Sequence, residues 1–142
     1  PKEPDPEADM GEHVMTYSIL PHSGSYIDAQ TVRHAYALNV PLRCVVAKAH
    51  PGEIPQEKSF VAVDSENVVL EAVKKAEKGE GTILRFYECH GVRDSVSVKV
   101  DLPFKKVQEV DLMEDRISDV ASKNGEFSFD IKPFEIKTFR LM

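Results

Sequence analysis

The stretch VVLEAVKKAEKGEGTILRFYE, residues 68–88, decides the fold. Its first half is ambiguous, because four apolar residues would also suit one face of a helix: Val69, Ala72, Val73 and Ala76. The segment 82–89 has strong β-propensity, and Lys78-Gly79-Glu80-Gly81 before it is a tight-turn sequence. A β-hairpin is a more economical interpretation than a helix followed by a strand. The stretch therefore predicts a β-hairpin.

Outward from this hairpin, most of the chain also has the pattern of strands. Met15, Tyr17 and Ile19 share one face of a predicted strand, and Val96, Val98 and Val100 share one face of another. The full set of further predicted strands is 14–20, 42–47, 59–64, 95–101, 104–112, 126–132 and 134–141. Alternation is broken at Val107, and again between Ile136 and Phe139, so we expect a bulge at each place.

A single long helix is predicted near residues 26–38. Ser25-Tyr26-Ile27-Asp28 has the hydroxyl and carboxylate spacing of a capping box, and Asn39 followed by Pro41 ends the helix. The fold class is therefore mainly β: an antiparallel β-sandwich of about eight or nine strands with one helix.

The predicted domain organisation is a short leading segment followed by one domain. Residues 1–12, rich in proline and acids, are expected to be a linker or interdomain segment, and residues 13–142 a single β-sandwich domain. The apolar run of a signal peptide is missing from Pro1 to Met10. The chain does not begin with Met, so we expect Pro1 to be the edge of a piece excised from a longer polypeptide.

Composition excludes several classes of function. A formal charge of −6 without a basic cluster argues against nucleic-acid binding. The chain contains no apolar run of the roughly 20 residues that a membrane helix needs, so we expect no membrane contact. Two cysteines, Cys44 and Cys89, in apolar segments make no disulfide framework and favour a reducing, cytoplasmic setting.

The sequence offers no complete catalytic site. Its five histidines stand singly, so none has the spacing of a zinc site: His13, His22, His34, His50 and His90. A G-x-S-x-G elbow is missing, and Gly79 and Gly81 lack the lysine of a phosphate loop. The chain has no Trp, and most Phe and Tyr residues fit inward strand positions, so direct support for a sugar-binding surface is slight.

Four stretches together resemble the C-terminal region of family 38 glycoside hydrolases, the α-mannosidases. Residues 8–22 are similar to A-D-x-G-x-H…Y-x-x-x-P-H, and residues 68–88 to V-x-x-x-x-K-x-A-E leading into L-R-x-Y-E. Residues 107–114 resemble V-x-x-x-D-L-x-E, and residues 133–139 read P-F-E-I-K-T-F. The stretches occur in the same order as in the family, and they are most similar to those of its bacterial and cytosolic branch. The resemblance also favours a strand over residues 68–76.

The resemblance implies a parent that is a retaining exo-α-mannosidase. An Asp nucleophile and a divalent metal, usually zinc, would lie in an N-terminal catalytic domain of the same polypeptide, which would bind the α-mannoside. None of those residues has an equivalent here, so we expect no catalytic residue, metal ligand or cofactor in this chain.

One segment is a candidate for contact with substrate. In relatives the stretch corresponding to residues 9–13 lies where the β region meets the catalytic domain, so Asp9, Gly11, Glu12 and His13 are candidates for a substrate rim. The plainer interpretation is an interdomain packing loop, with Gly11 present for its backbone. Lys74, Arg85 and Glu88 are interpreted as cross-strand charge pairing.

The leading hypothesis is a non-catalytic C-terminal domain that packs on the absent catalytic domain and completes its substrate rim. It predicts an apolar face around Met15 and Tyr17. The alternative is an autonomous carbohydrate-binding module. A free-standing enzyme is a third reading, and we expect the isolated chain to be inactive.

Overall fold

The computed structural model describes residues 10–142. The chain divides into two compact units, with the boundary in sequence between Val45 and Val46. The described residues before Val46 contain one helix, α1 (Thr31–Asn39). The part from Val46 onward contains nine strands: β1 (Val61–Val63), β2 (Val68–Lys75), β3 (Thr82–Glu88), β4 (Asp94–Val100), β5 (Val107–Val110), β6 (Arg116–Val120), β7 (Ser122–Lys123), β8 (Glu126–Ile131) and β9 (Ile136–Leu141). Among the described residues, no helix has the length and apolar character required to cross a bilayer.

The strands form two antiparallel sheets. The four-stranded sheet has the order β1-β4-β8-β7, and the five-stranded sheet has the order β2-β3-β9-β5-β6. β2 and β3 form the hairpin expected from residues 68–88, so the strand interpretation of 68–76 is confirmed. The predicted mainly-β antiparallel sandwich with one helix is confirmed as well.

The core lies between the inner faces of the two sheets. Val96, Val98 and Val100 of β4 are buried as expected, and β8 contributes Phe127, Phe129 and Ile131. Four phenylalanines form its aromatic centre, with ring centroids 4.7 Å apart for the Phe129–Phe139 pair. Large rings from both sheets interdigitate there, and their burial is the main stabilising contribution to such a core.

Two predicted strands are wrong. Residues 14–20 and 42–47 form no strand, and Cys44 in the second of these segments is exposed. A strand needs a hydrogen-bonded neighbour, and none of the described residues pairs with either segment.

Two observed strands, β6 and β7, were not predicted from the sequence. β6 is an edge strand whose side chains are mostly exposed, so it lacks an apolar alternation. β7 has only two residues, but Asn124-Gly125 between it and β8 is a strong hairpin signal that would have located it.

Neither expected bulge occurs on its predicted strand. β5 and β6 shift register between Glu109 and Val110, but the extra residue, Ile117, lies on β6, and β5 pairs with β9 without interruption. Val107 belongs to the core between the sheets, whereas Val110 is buried on the opposite face of the strand, with Thr138. β9 pairs without interruption with both neighbours, so a bulge between Ile136 and Phe139 is wrong. Ile136 and Phe139 differ in parity because Ile136 faces away from the core, where it is 50% exposed, whereas Phe139 faces into the core.

The capping sequence before α1 forms as expected, but the helix begins later than residue 26. Asp28 Oδ2 accepts from the Ser25 backbone N–H at 2.9 Å, and Ser25 Oγ accepts from the Asp28 N–H at 3.2 Å. The carboxylate also accepts from Ser25 Oγ at 2.8 Å, and the hydrogen bonds that it accepts from the Ser25 backbone N–H and hydroxyl lower the pKa of Asp28. Gln30 then adopts a positive φ of 48°, which interrupts the helical path, so α1 starts at Thr31. It ends at Asn39, as the sequence indicated.

The outer face of the five-stranded sheet is partly covered by the turn after β5. Glu114 in this turn is buried; its carboxylate lies 2.8 Å from Lys74 Nζ and accepts from the Glu77 N–H at 2.7 Å. The Arg140 guanidinium donates to the Glu114 carbonyl at 3.0 Å. The hydrogen bond from Lys74 is the main reason that the pKa of Glu114 is lowered. These ion pairs and hydrogen bonds of Glu114 therefore hold the turn against the sheet.

Phe139→Ala should lower the free energy of unfolding of the chain by about 3–5 kcal/mol, because it opens a cavity at the aromatic centre. Ile136→Ala, three residues away on the same strand, is the matched control, and its cost should be below about 1 kcal/mol because the side chain faces outward. Urea unfolding followed by circular dichroism measures both. Equal costs would contradict the assignment of Ile136 to the outer face.

Candidate functional site

The predicted substrate rim lies in a solvent-accessible part of the chain. Asp9 is outside the described residues, whereas Gly11, Glu12 and His13 are all exposed. Gly11 has a φ of 140°, a conformation that residues with side chains rarely adopt, so a glycine is required there for its backbone.

The histidines do not form a metal site. Within residues 10–142, no group of three or more His, Cys, Asp or Glu side chains is placed to hold an ion. A zinc site uses three or four such ligands, so the metal of an α-mannosidase does not fit this set of residues. No catalytic step can be derived through a metal held by this part of the chain.

The most enclosed polar site is built around Glu88, at the end of β3. Only 1% of this residue is exposed, and its inward position follows from the alternation of Leu84, Phe86 and Glu88. The carboxylate accepts four backbone N–H groups: from His90 at 2.7 Å, Gly91 at 2.8 Å, Val92 at 3.2 Å and Phe134 at 2.8 Å. One side chain therefore connects the loop after β3 to the turn before β9.

The surroundings of Glu88 keep its carboxyl group ionised. Burial raises the pKa, but the four N–H groups, which stabilise only the charged form, outweigh burial and lower it. Each oxygen accepts two of these hydrogen bonds, so neither is free to exchange a proton with a substrate. Glu88 is therefore a structural carboxylate rather than a general acid or base.

The loops that Glu88 connects have backbone conformations that need its support. Phe134 has a φ of 56°, which is unusual for an aromatic residue, yet its ring is 70% exposed. Gly91 has a φ of 78°, and a Cβ at this position would lie 2.9 Å from the Phe134 ring. Glycine is therefore required at 91, and the carboxylate fixes Phe134 in place.

A second polar network lies close to the first along the chain. Asp94 Oδ2 accepts from Ser65 Oγ at 2.6 Å and from Asn67 Nδ2 at 2.9 Å. His90 Nδ1 lies 3.0 Å from Asn67 Oδ1, so the ring donates from Nδ1. Ser, His and Asp are the residue types of a hydrolytic triad, but the Ser65 hydroxyl donates to the carboxylate and not to the histidine. This network joins the loops at this end of the sandwich.

The electrostatics of the described residues do not suit glycoside hydrolysis. That chemistry needs one carboxylic acid with a raised pKa opposite a second carboxylate. Hydrogen bonds from Ser65 and then Asn67 lower the pKa of Asp94. In residues 10–142, every carboxyl group whose pKa departs from its ordinary value is shifted downward: Asp28, Glu88, Asp94, Asp101, Glu114 and Asp119.

The predicted charge pairing of Lys74, Arg85 and Glu88 is wrong. Lys74 forms ion pairs with Glu77 and Glu114, and the Arg85 guanidinium donates to Thr138 Oγ1 at 3.2 Å. Glu88 accepts only from backbone N–H groups among the hydrogen bonds described above. Because Glu88 is on the inner face and Arg85 on the outer face of the same strand, the two cannot pair. In the sequence, Glu88 has the same alternation as the inward Leu84 and Phe86, and this feature indicates that its carboxylate is enclosed.

An open cleft of about 610 Å³ lies beside these networks, between β4 and β8 and the turn before β9. Its walls carry cations and carboxylates together with a single large apolar side chain, Ile131. Clefts that enclose ligands are mostly apolar, so this one is suited only to a polar ligand that remains largely hydrated. The lining residues are Arg93, Asp94, Ser95, Asp130, Ile131, Lys132, Glu135 and Lys137.

Comparison with protein families gives a match over residues 67–139, just over half of the chain, to the family described as glycosyl hydrolases family 38 C-terminal beta sandwich domain. The matched region contains β2 to β8 and most of β9, and it includes Glu88, Phe134 and the Glu114 turn.

Curated relatives match along the whole chain. Alpha-mannosidase 2C1 of Mus musculus is 34% identical over 148 residues, covering 100% of this chain and 14% of the relative. Alpha-mannosidase G of Dictyostelium discoideum is 35% identical over 150 residues, covering 100% and 13%. Alpha-mannosidase of Saccharomyces cerevisiae is 28% identical over 165 residues, covering 99% and 15%. The chain thus spans about one-seventh of the length of the relatives it matches.

Glu88→Gln should lower the free energy of unfolding at neutral pH by about 2–3 kcal/mol. The amide keeps the shape of the side chain, but its NH₂ group faces two of the four backbone donors, which are left without an acceptor. Urea unfolding at pH 7 checks this. A loss below about 0.5 kcal/mol would contradict the role assigned to Glu88.

The same variant should change the response to acid. Because the pKa of Glu88 is lower in the folded state, its stabilisation is present above the ordinary value of 4.5 and is lost as the pH falls toward the folded-state pKa. The difference in unfolding free energy between the wild type and Glu88→Gln should therefore shrink below pH 4.5. Urea midpoints from pH 7 to pH 3 measure this, and a constant difference would contradict an ionised Glu88.

Proposed function

Because the chain belongs to the glycosyl hydrolases family 38 C-terminal beta sandwich domain family, we propose that it is a non-catalytic domain of an α-mannosidase. In this proposal it packs on an N-terminal catalytic domain of the same polypeptide, which cleaves α-mannosides with retention. The nucleophile and the divalent metal, zinc by expectation, belong to that other domain. This chain contributes structure and, through residues 9–13, part of the substrate rim.

The observation that carries the proposal is the exposure of the first part of the chain. Between residues 10 and 64 no residue is buried, although the segment is rich in apolar side chains. Met15, Tyr17 and Ile19 are 84%, 87% and 83% exposed. A nine-residue helix with no buried face is marginal in water, and ordering such a segment costs conformational entropy that only burial can offset. A surface supplied by another domain provides that burial.

The rim role rests on the residue types and exposure of Glu12 and His13. Carboxylate and imidazole groups hydrogen-bond sugar hydroxyls, and these two side chains are accessible next to the glycine that turns the backbone. Asp9, which lies outside the described residues, belongs to the same proposed rim. We propose residues 1–12 as the interdomain segment and residues 13–142 as the domain that follows it.

We also propose a cytoplasmic location. Cys44 is exposed and forms no disulfide, and Cys89 instead donates its thiol to the Asn67 carbonyl at 3.3 Å. Free thiols persist in reducing compartments, which supports this part of the proposal.

A specific observation favours the alternative, an autonomous carbohydrate-binding module. The Phe134 ring is exposed and held by Glu88, and Lys132 and Glu135, which flank it, line the open cleft. A fixed aromatic ring beside polar groups is the arrangement on which a pyranose stacks. The proposal of a docking domain explains more of the exposed apolar surface, so we retain it as the main proposal.

Glu12→Gln and His13→Ala in the full-length polypeptide should each lower kcat/KM for an aryl α-mannoside by about 5- to 30-fold. The first replaces a charged acceptor by a neutral amide and the second removes the ring, and each change costs about 1–2 kcal/mol of hydrogen bonding. Glu57→Gln and His50→Ala change matched exposed side chains of the loop before β1 and serve as controls. Steady-state kinetics measures all four. Values for the rim variants equal to those of the controls would contradict a rim at residues 9–13.

The isolated 142-residue chain should neither hydrolyse an aryl α-mannoside nor bind methyl α-mannoside. Hydrolysis requires the catalytic domain, and calorimetric titration should show no saturable heat. Saturable binding that disappears in Phe134→Ala, with the fold retained, would replace the docking proposal with the carbohydrate-binding alternative. Hydrolysis above that of a metal-chelated sample would contradict both.

A further inference from the structure

The outer faces of the two sheets differ in polarity. On the four-stranded sheet, the outward residues of β4 and β8 are polar at every position: Ser95, Ser97, Lys99, Glu126, Ser128 and Asp130. This face alternates strictly with the buried valines and phenylalanines, as expected for a sheet that faces water on one side. It needs no further cover.

The outer face of the five-stranded sheet instead carries an apolar row. Val69, Tyr87 and Ile136 lie opposite one another on β2, β3 and β9. Leu112 lies in the turn that follows β5, two residues beyond Val110, which pairs with Thr138, and it adds an exposed apolar side chain at this end of the sheet. Ile136 is 50% exposed and Leu112 59% exposed. We call Val69, Tyr87, Ile136 and Leu112 the outer-face row.

The chain covers the other half of this same face by itself. Ile83 also points outward, between Lys74 and Arg140 in register, yet it is fully buried. Both flanking cations contact Glu114 of the turn after β5, so that turn lies over this half of the sheet. The turn after β5 therefore covers the sheet at Ile83, whereas Ile136 on the same face is half-exposed.

The outer-face row is rigid. β3 and β9 each pair with strands on both sides, and Glu88 fixes the turn that leads into β9 by accepting the Phe134 N–H. A partner that docks on such a surface pays little conformational entropy.

We infer that the outer-face row is the surface on which another domain of the same polypeptide packs. The inference rests on the proposed function. The matched relatives extend well beyond this chain, which covers only 14% of the mouse protein, so a parent of that size contains ample polypeptide to cover the row.

The size of the row favours a tethered occupant over a separate one. Four side chains, partly exposed, offer on the order of 300 Å² of apolar surface. A stable dimer buries about 800 Å² per partner, so a second copy of the chain would bind too weakly through this row. A domain in the same polypeptide is held at high effective concentration, so the row contributes to its docking as one part of a larger interdomain contact.

Ile136→Lys and Leu112→Lys test the inference, with Ser128→Lys on the polar outer face as the matched control. Each variant is made in the 142-residue chain and in the full-length polypeptide. In the isolated chain all three should keep the wild-type midpoint of thermal unfolding, because every changed side chain is exposed. In the full-length polypeptide, proteolytic cleavage of the segment that joins this domain to the rest of the polypeptide should be about tenfold faster in the two row variants. The control variant should be cleaved at the wild-type rate.

Three results would overturn the inference. The first is proteolysis of both row variants at the rate of the control. The second is a lower unfolding midpoint of the row variants in the isolated chain, which would make the row part of its own fold. The third is concentration-dependent self-association of the wild-type chain that Ile136→Lys abolishes, which would make a second copy the occupant.

The kinetic measurement separates this inference from the proposed function. If the full-length polypeptide hydrolyses an aryl α-mannoside and the row variants behave as the control, the inference fails and the proposed function stands. If the full-length polypeptide does not hydrolyse it, the proposed function fails whatever the row variants show.

Discussion

The Glu88 carboxylate is the interaction on which the rest of the sandwich depends. It lies at the end of β3 and accepts N–H groups from the loop to β4 and from the turn that leads into β9. β4 belongs to the four-stranded sheet and β9 to the five-stranded sheet, so one buried charge sets where the chain crosses between the sheets. Burying a carboxylate is costly unless its oxygens are hydrogen-bonded, and here both oxygens are.

The stretches that carry the family resemblance meet in the structure. The last residue of Leu-Arg-Phe-Tyr-Glu is Glu88, and it accepts from Phe134 of Pro-Phe-Glu-Ile-Lys-Thr-Phe. Lys74 in the first strand of the hairpin pairs with Glu114, the last residue of Asp-Leu-Met-Glu. Both carboxylates are buried and hold turns rather than substrate. The motifs therefore specify how the domain folds, which is consistent with a non-catalytic role.

The fold could be predicted from the sequence wherever strands have one buried face. β2 and β3 were located by the turn sequence between them and the β-propensity of β3. β4 and β8 were located by alternation, and their burial agrees with the alternation of apolar and polar residues. The failures have a common cause: residues 14–20 and 42–47 have the composition of strands, but composition does not supply a pairing partner. Ile136 was misassigned for a related reason, because an apolar residue on the outer face has the same appearance in sequence as one in the core.

The candidate site was less predictable than the fold. Residues 9–13 became candidates for a substrate rim only through the family resemblance. The structure adds only that Gly11, Glu12 and His13 are exposed. The enclosed networks around Glu88 and Asp94 could not be predicted, because their partners are backbone groups and side chains from loops distant in sequence. Only the inward parity of Glu88 indicated that this charged residue is enclosed.

The exposed first part of the chain and the outer-face row lead to the same account: this domain has surfaces that another domain completes. Amide hydrogen exchange over residues 10–46, compared between the isolated chain and the full-length polypeptide, tests it most directly. The account predicts rapid exchange in the isolated chain and protection that increases by about 100-fold or more in the full-length polypeptide. Equal exchange in the two would contradict it.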